Sequence, residues 1–242
     1  MKKFLILLLL VLVSMPATAF AGADEGTGLP GSKHDINLLA GAQADVEGRV
    51  CAFCHTPHHA IQNPAADYLP LWSHELNTST SFSPYATVTL DANIVDPFIG
   101  PSRLCMSCHD GVIAADQHYA FDGAPKVLEG DSWGELAIGT KNTAGEHDFS
   151  NDHPIGFELA AAAAADDEIF TDIVSRPFID NTDVIVGDVL TAGFMTCATC
   201  HDVHNTQNAT HDIATTPNYF VYAKQDGSSL CLTCHDKGDT TP

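Results

Sequence analysis

Basic side chains are scarce in this 242-residue sequence. Ten lysine and arginine residues stand against 31 aspartate and glutamate residues, which gives a formal net charge of −21 at pH 7. Nucleic acids and anionic lipid surfaces bind proteins mainly through clusters of lysine and arginine. The composition therefore excludes both as expected partners. Such an acidic surface is typical of a solvated protein, or of one that attracts a cationic partner or a metal ion.

Long apolar runs are also rare, and the main one lies at the beginning of the chain. Phe4–Val13 follows Lys2 and Lys3 and is followed by the small-residue sequence AFA at 19–21. This arrangement is typical of a secretory signal peptide, whereas a membrane-spanning helix needs about 20 apolar residues. We therefore expect a signal peptide over 1–21 and no membrane span after its removal. Residues 22–242 are expected to form a single domain outside the cytoplasmic membrane.

Long regular elements are expected to be few, because the chain has 18 glycines and 13 prolines and loop signals interrupt most segments. The best helical segment is ELAAAAAADDEIFTDIVSR at 158–176, which has strong alanine propensity. DVIVGDVL at 183–190 predicts a short hairpin arm. The sequence thus predicts a mostly irregular chain with short α-helices and little β-structure.

The eight cysteines follow one fixed pattern. They form pairs with two residues between them, and histidine follows each second cysteine directly: Cys51, Cys54, His55; Cys105, Cys108, His109; Cys197, Cys200, His201; Cys231, Cys234, His235. Disulfide frameworks and zinc ribbons also use cysteine pairs, but neither requires histidine at the same offset each time. The C-x-x-C-H pattern is typical of covalent haem c attachment.

The spacing suits this chemistry because residues three and four apart share one face of a helical turn. Two thiols on that face can reach the two vinyl groups of one porphyrin, and the adjacent histidine can bind the iron from the same side. The sequence therefore predicts four covalently bound haem c groups, numbered here haem 1 to haem 4 in the order of their motifs. We expect the porphyrins to form most of the apolar interior.

The second axial ligand of each iron is expected to be histidine. The chain has 13 histidines and only four methionines. Met1 and Met15 fall in the expected signal peptide, Met106 lies inside the second motif, and Met195 is expected to pack beside the third. Because methionine ligation raises the haem potential, its near absence predicts low-spin haems of low potential.

Five histidines are the candidates for these four distal positions. His58 and His204 each follow a motif histidine by three residues, so they cannot reach the far side of their own haem and would bind a different one. The others precede proline or lie in short segments elsewhere, and they are His153, His34 and His74. The remaining histidines are expected to be solvated or to bond haem propionates: His59, His118, His147 and His211.

The ordered segments VCAFCHTPHHA, PLWSHEL, GPSRLCMSCHDG, SNDHPIGF, TCATCHDVHN and SSLCLTCHDK resemble the doubled C-x-x-C-H family of multihaem c-type cytochromes. Their two haem pairs, at 51–109 and 197–235, look like a duplicated di-haem unit. The chain also resembles the tetrahaem outer-surface cytochromes of metal-reducing bacteria. That resemblance implies filaments with a continuous haem stack, in which a histidine such as His34 can complete a haem of the next subunit.

The main functional hypothesis is a non-enzymatic electron carrier on the cell surface, outside the cell or in the periplasm. Its expected partners are redox proteins or extracellular electron acceptors, with a second copy of this chain as a further candidate. Two alternatives remain open. One is a soluble periplasmic shuttle, and the other is a nitrite or hydroxylamine reductase. A reductase needs an iron with an open position and nearby acid–base groups, and the surplus of histidines argues against one.

Overall fold

A computed structural model describes residues 28–58, 60–62, 68–76, 82–111, 113–118, 136–141, 147–205 and 220–237. The expected signal peptide lies outside these residues. Coil connects four short α-helices: α1 Pro101–His109, α2 Leu159–Ala165, α3 Cys197–Cys200 and α4 Ser229–Cys234. Single 3₁₀ turns lie at Ile36–Leu38, Val50–Phe53, Ile173–Ser175, Val186–Val189 and Asp226–Ser228.

The β-structure is limited to two small sheets. Its strands are β1 Phe82–Ser83, β2 Thr140–Lys141, β3 His147–Asp148, β4 Pro177–Phe178 and β5 Asn181–Ile185. β3 lies between β1, to which it is parallel, and β2, to which it is antiparallel. β4 and β5 form an antiparallel hairpin, and β5 contains the first part of the hairpin arm expected at 183–190. The prediction of a mostly irregular fold with little β-structure is confirmed.

The helix predicted over 158–176 is much shorter than expected. α2 ends at Ala165, and Asp166 leaves the helix with φ −111° and ψ 114°. The Asp166 side chain then accepts a hydrogen bond from the amide of Glu168 at 2.8 Å. Aspartate readily forms this local turn and is unfavourable at the negative end of a helix. The acidic residues therefore stop the helix that the alanines begin.

Two groups of apolar side chains flank the cysteine motifs. The larger contains α2, the β4–β5 hairpin and the segment before α3, and its buried members are Phe157, Leu159, Ala162, Ala163, Ile173, Phe178, Val186, Met195 and Ala223. The smaller consists of Trp72, Leu76 and Leu104, with Cys54 packed against it. Within the described ranges, no helix has the length and apolar character needed to cross a membrane.

Candidate haem-binding site

Each C-x-x-C-H motif lies on a short helical segment. The first begins in the 3₁₀ turn Val50–Phe53, the second ends α1, the third forms α3 and the fourth ends α4. In three motifs the amide of the histidine donates a hydrogen bond to the carbonyl of the first cysteine. The N···O distances are 2.8 Å for His55–Cys51, 3.0 Å for His201–Cys197 and 3.0 Å for His235–Cys231. This turn brings the two thiols to one face of the backbone, as attachment along one porphyrin edge requires.

The second and third motifs are held against each other. The amide of Cys197 donates a hydrogen bond to Ser102 Oγ at 3.0 Å, which ties the beginning of α3 to α1. The Cys105 and Cys197 thiols also share a hydrogen bond, which raises the pKa of Cys105 and lowers that of Cys197. Haem 2 and haem 3 would therefore be attached side by side.

The other neighbouring motifs are close as well, although all eight cysteines are free thiols. Burial, and then the nearby Cys108, raises the pKa of Cys54 to about 12. Burial, and then the nearby Cys234, raises the pKa of Cys200 to about 12. Each motif thus lies near the next one along the chain, from the first motif to the fourth.

Three of the motif histidines lie close to a histidine from another part of the chain; the rings are stacked in His55–His204 and edge-on in the other two pairs. The ring centroids are 6.1 Å apart for His34 and His109, 6.2 Å for His55 and His204, and 6.3 Å for His153 and His235. Metal–imidazole bonds of about 2 Å on opposite sides of one ion place two ring centroids about 6 Å apart. Each of the three pairs therefore has the spacing for one metal ion between its rings.

In each pair, the Nδ1 atom of one ring lies within hydrogen-bond distance of a backbone carbonyl. The contacts are His55 with Pro70 at 2.7 Å, His109 with Leu136 at 2.5 Å and His153 with Pro154 at 2.9 Å. A metal-binding histidine usually donates its other N–H in this way, because the bond fixes the tautomer and the ring orientation. Nε2 is then the nitrogen with a free lone pair for iron.

His34 connects two of the motifs. Burial, and then the nearby His109 and His201, lower the pKa of His34 to about 4. Its ring also meets Phe220 edge-on, with a centroid distance of 5.0 Å. The uncharged form of imidazole, which is the form that binds iron, is thus favoured at this position.

Two of the five distal candidates do not join such a pair among the described residues. His58 is exposed. His74 is fully buried with 0% exposure, and its Nδ1 and Nε2 lie 3.1 and 3.0 Å from the carbonyls of Glu75 and Ala114. Both ring nitrogens thus face backbone carbonyls, so His74 is packed within the protein here, and its role as an axial ligand stays a prediction.

The other four histidines were expected to be solvated or to bond haem propionates. His118 is fully buried, with Nε2 3.3 Å from Asp45 and Nδ1 3.0 Å from the carbonyl of Asp116, so it is not solvated; the other expectation, a bond to a haem propionate, stays a prediction. The interaction of Asp45 with His118 crosses a long sequence separation, and no local pattern could have indicated it. His59, His211 and the His147 side chain lie outside the part of the chain that the structure describes.

A comparison with family models finds one match, the doubled CXXCH motif, over residues 189–240. That segment contains the third and fourth motifs. No curated protein matches the chain. The matched segment carries the paired motif by which multihaem c-type cytochromes bind haem c for electron transfer, as the resemblance in the sequence predicts.

Proposed function

We propose that the chain is a tetrahaem c-type cytochrome that carries electrons through four closely spaced haems. The observation that carries this proposal is the set of three histidine pairs, each with the spacing for one iron between its rings. Haem iron, when bound, supplies the reversible ferric–ferrous couple. The role of the chain is to hold each iron in a fixed environment and to keep neighbouring haems in contact.

The pairs assign a proximal and a distal ligand to three of the four haems. His55 and His204 would hold haem 1, His109 and His34 haem 2, and His235 and His153 haem 4. His201 would be the proximal ligand of haem 3, and one of the remaining histidines would be its distal ligand. With both axial positions filled, an iron changes oxidation state with little ligand movement and offers no open position to a substrate.

The contacts between neighbouring cysteines support close packing of the haems. Cys105 shares a hydrogen bond with Cys197, and Cys54 and Cys200 lie near cysteines of the adjacent motifs. Haems bound to cysteines this near to one another would have porphyrin edges in contact. The resulting row, haem 1 to haem 4, has its outermost thiols, Cys51 and Cys231, exposed to solvent.

The mass and the spectra of the purified holoprotein test this function. We expect a mass increase of four haems, an alkaline pyridine haemochrome spectrum, and low-spin spectra in both oxidation states. Reduced wild-type protein should bind little carbon monoxide, which excludes the reductase alternative. A polypeptide mass without haem would contradict the whole proposal, and a high-spin haem that binds carbon monoxide would favour the reductase.

Two matched variants test the ligand assignment. His204→Ala is expected to leave one iron without its distal ligand, so that one haem in four binds carbon monoxide after reduction. Val203→Ala changes the apolar neighbour of His204 on the same segment, which cannot bind iron, and is expected to leave every haem low-spin. The assignment of His204 to haem 1 fails if the two variants give the same spectra.

Export, partners and assembly complete the proposal. We place the carrier in the cell envelope or outside the cell, with redox proteins or extracellular acceptors as partners and self-polymerisation into filaments as its mode of assembly. This part of the proposal is based on the signal-like sequence at 1–21 and on the resemblance to filament-forming cytochromes. Electron microscopy of the purified protein separates the two modes: ordered fibres support the filament, and dispersed monomers support the soluble shuttle.

A further inference from the structure

A short segment at 70–74, here called the strap, is fixed against the first motif by backbone hydrogen bonds. The amide of Thr56 donates to the carbonyl of Leu71 at 2.8 Å, and the amide of Ser73 donates to the carbonyl of Cys54 at 2.9 Å. Ser73 Oγ also donates to the carbonyl of Ala52 at 2.6 Å. These bonds hold Leu71 in the left-handed region with φ 53°, where a side chain of this kind is strained. The position of the strap is therefore closely determined.

The strap places Trp72 at the junction of the first two motifs. The indole ring lies perpendicular to the His55 ring, with a centroid distance of 5.7 Å. It belongs to one apolar cluster with Leu76 and with Leu104, the residue directly before Cys105, and Cys54 packs against that cluster. Trp72 therefore lies in the apolar cluster that joins the first and second motifs.

The indole N–H of Trp72 has no acceptor among the described residues, although the side chain is only 8% exposed. Buried tryptophan N–H groups usually have a hydrogen-bond partner, and a buried donor without one destabilises the folded state. Within the described ranges, the N–H is thus a buried donor available to an acceptor other than these residues.

The nearby cations are already engaged with carboxylates of the chain. Arg49 contacts Asp45 at 2.8 Å, and Arg103 contacts Asp96 at 2.6 Å. A haem carries two propionate groups, and in a chain with a net charge of −21 these carboxylates need uncharged donors as well as cations. An unpartnered N–H beside two haem attachment points meets that need.

We propose that the indole N–H of Trp72 donates a hydrogen bond to a haem propionate at the junction of haem 1 and haem 2. This inference rests on the proposed function, since it requires haems at the first two motifs. The hydrogen bond partly neutralises the negative charge of the propionate, so that the electrostatic effect of this charge on the iron is weaker. Trp72 is then a positioning residue that sets the potential of one haem. Without the N–H, the fuller charge stabilises ferric iron and makes that potential more negative.

Ultraviolet resonance Raman spectroscopy of the oxidised holoprotein tests the hydrogen bond directly. The chain has two tryptophans, so Trp133→Phe leaves Trp72 as the sole indole. We expect the indole N–H band of this variant at a hydrogen-bonded position. A band at the position of a free indole overturns the inference, and this reading needs no variant of Trp72 itself.

Redox titration tests the effect on the iron. Trp72→Phe keeps a buried aromatic ring but removes the donor, and we expect one of the four potentials to become more negative. Tyr68→Phe removes a polar hydrogen from an exposed ring just before the strap and should leave all four potentials unchanged. Equal potentials in Trp72→Phe and wild type would overturn the inference.

Two further measurements distinguish failure of this inference from failure of the proposed function. The paramagnetically shifted haem methyl signals identify the acceptor, because those of either haem 1 or haem 2 move in Trp72→Phe, and either result supports the inference. The haem count and the low-spin spectrum report on the proposed function separately. Four low-spin haems with a free indole N–H would contradict this inference alone, whereas absence of haem would contradict the proposed function.

Discussion

Replacement of Gly156 by alanine is expected to damage both the fold and the proposed iron site of haem 4. Gly156 has φ +83°, and a Cβ atom added to it would lie 2.2 Å from the carbonyl oxygen of Asp96 and 2.6 Å from Pro97 Cα. The residue is held on both sides, since its amide donates to the carbonyl of Met195 at 2.8 Å and its carbonyl accepts from the amide of Val95 at 2.9 Å. The clash is with backbone, which cannot move aside as the end of a flexible side chain can.

The expected cost has two parts. An alanine in the left-handed region costs about 1–2 kcal/mol, and forcing an extra methyl group into packed structure costs about 1–3 kcal/mol. We therefore expect Gly156→Ala to lower the free energy of unfolding by about 2–5 kcal/mol. Because His153 lies on the same short turn, relief of the clash should also shift its ring away from His235.

Gly48 provides a matched control. It has φ +68°, and a Cβ atom added there meets nothing within 4 Å, so Gly48→Ala should show only the backbone cost of about 1–2 kcal/mol. Urea unfolding of the two holoprotein variants, followed by circular dichroism, gives the difference. Carbon monoxide binding after reduction then shows whether one iron has opened in Gly156→Ala. If the two variants are equally stable, the reasoning from the Asp96 contact is refuted.

Three further outcomes follow from the described contacts. His153→Met is expected to raise one haem potential in a redox titration, because methionine ligation favours the ferrous state, and four unchanged potentials would remove His153 from the ligand set. The pKa of Asp45 is held below its usual range, chiefly by hydrogen bonds from Arg49, so its stabilising effect is present above a pH of about 3.9 and is lost as the pH falls through the lowered value. Denaturant titrations should therefore show Asp45→Asn less stable than wild type at pH 7, with a gap that narrows in strong acid, and a gap independent of pH would contradict this. Ile173→Ala, at a position with 0% exposure, should cost about 2–5 kcal/mol in unfolding free energy, whereas Val174→Ala at an exposed position should change it by less than about 0.5 kcal/mol; similar costs would refute the assignment of Ile173 to the core.

The attachment motifs could be predicted from the sequence because their chemistry is local. Two thiols and an imidazole must lie on one turn of backbone, and a fixed spacing of a few residues ensures this. The hairpin arm predicted at 183–190 was found only in part, because β5 ends at Ile185 and a 3₁₀ turn follows at Val186–Val189. The length of α2 was not predicted correctly, since alanine propensity over 158–176 was outweighed by the local turn that Asp166 forms with Glu168.

The histidine partners were predictable only in part, because the position of a ring depends on tertiary contacts. His34, His153 and His204 were candidates from their local context, and each lies opposite a motif histidine. His74 had an equally suitable context, but the fold turns its ring toward the carbonyl of Ala114, 40 residues away. Which histidine faces which motif could not be read from spacing, since each pair joins distant parts of the chain.

The pairing of His55 with His204 has a consequence for how the molecule matures. A chain that crosses a membrane from its N-terminus delivers Cys51 and Cys54 to the attachment machinery early, while His204 arrives only after the third motif has emerged. On the proposed ligation, the first cofactor to be joined thus keeps an uncovered iron until most of the polypeptide has been exported. A truncation before residue 204 would yield a peroxide- and gas-reactive fragment in place of an inert carrier.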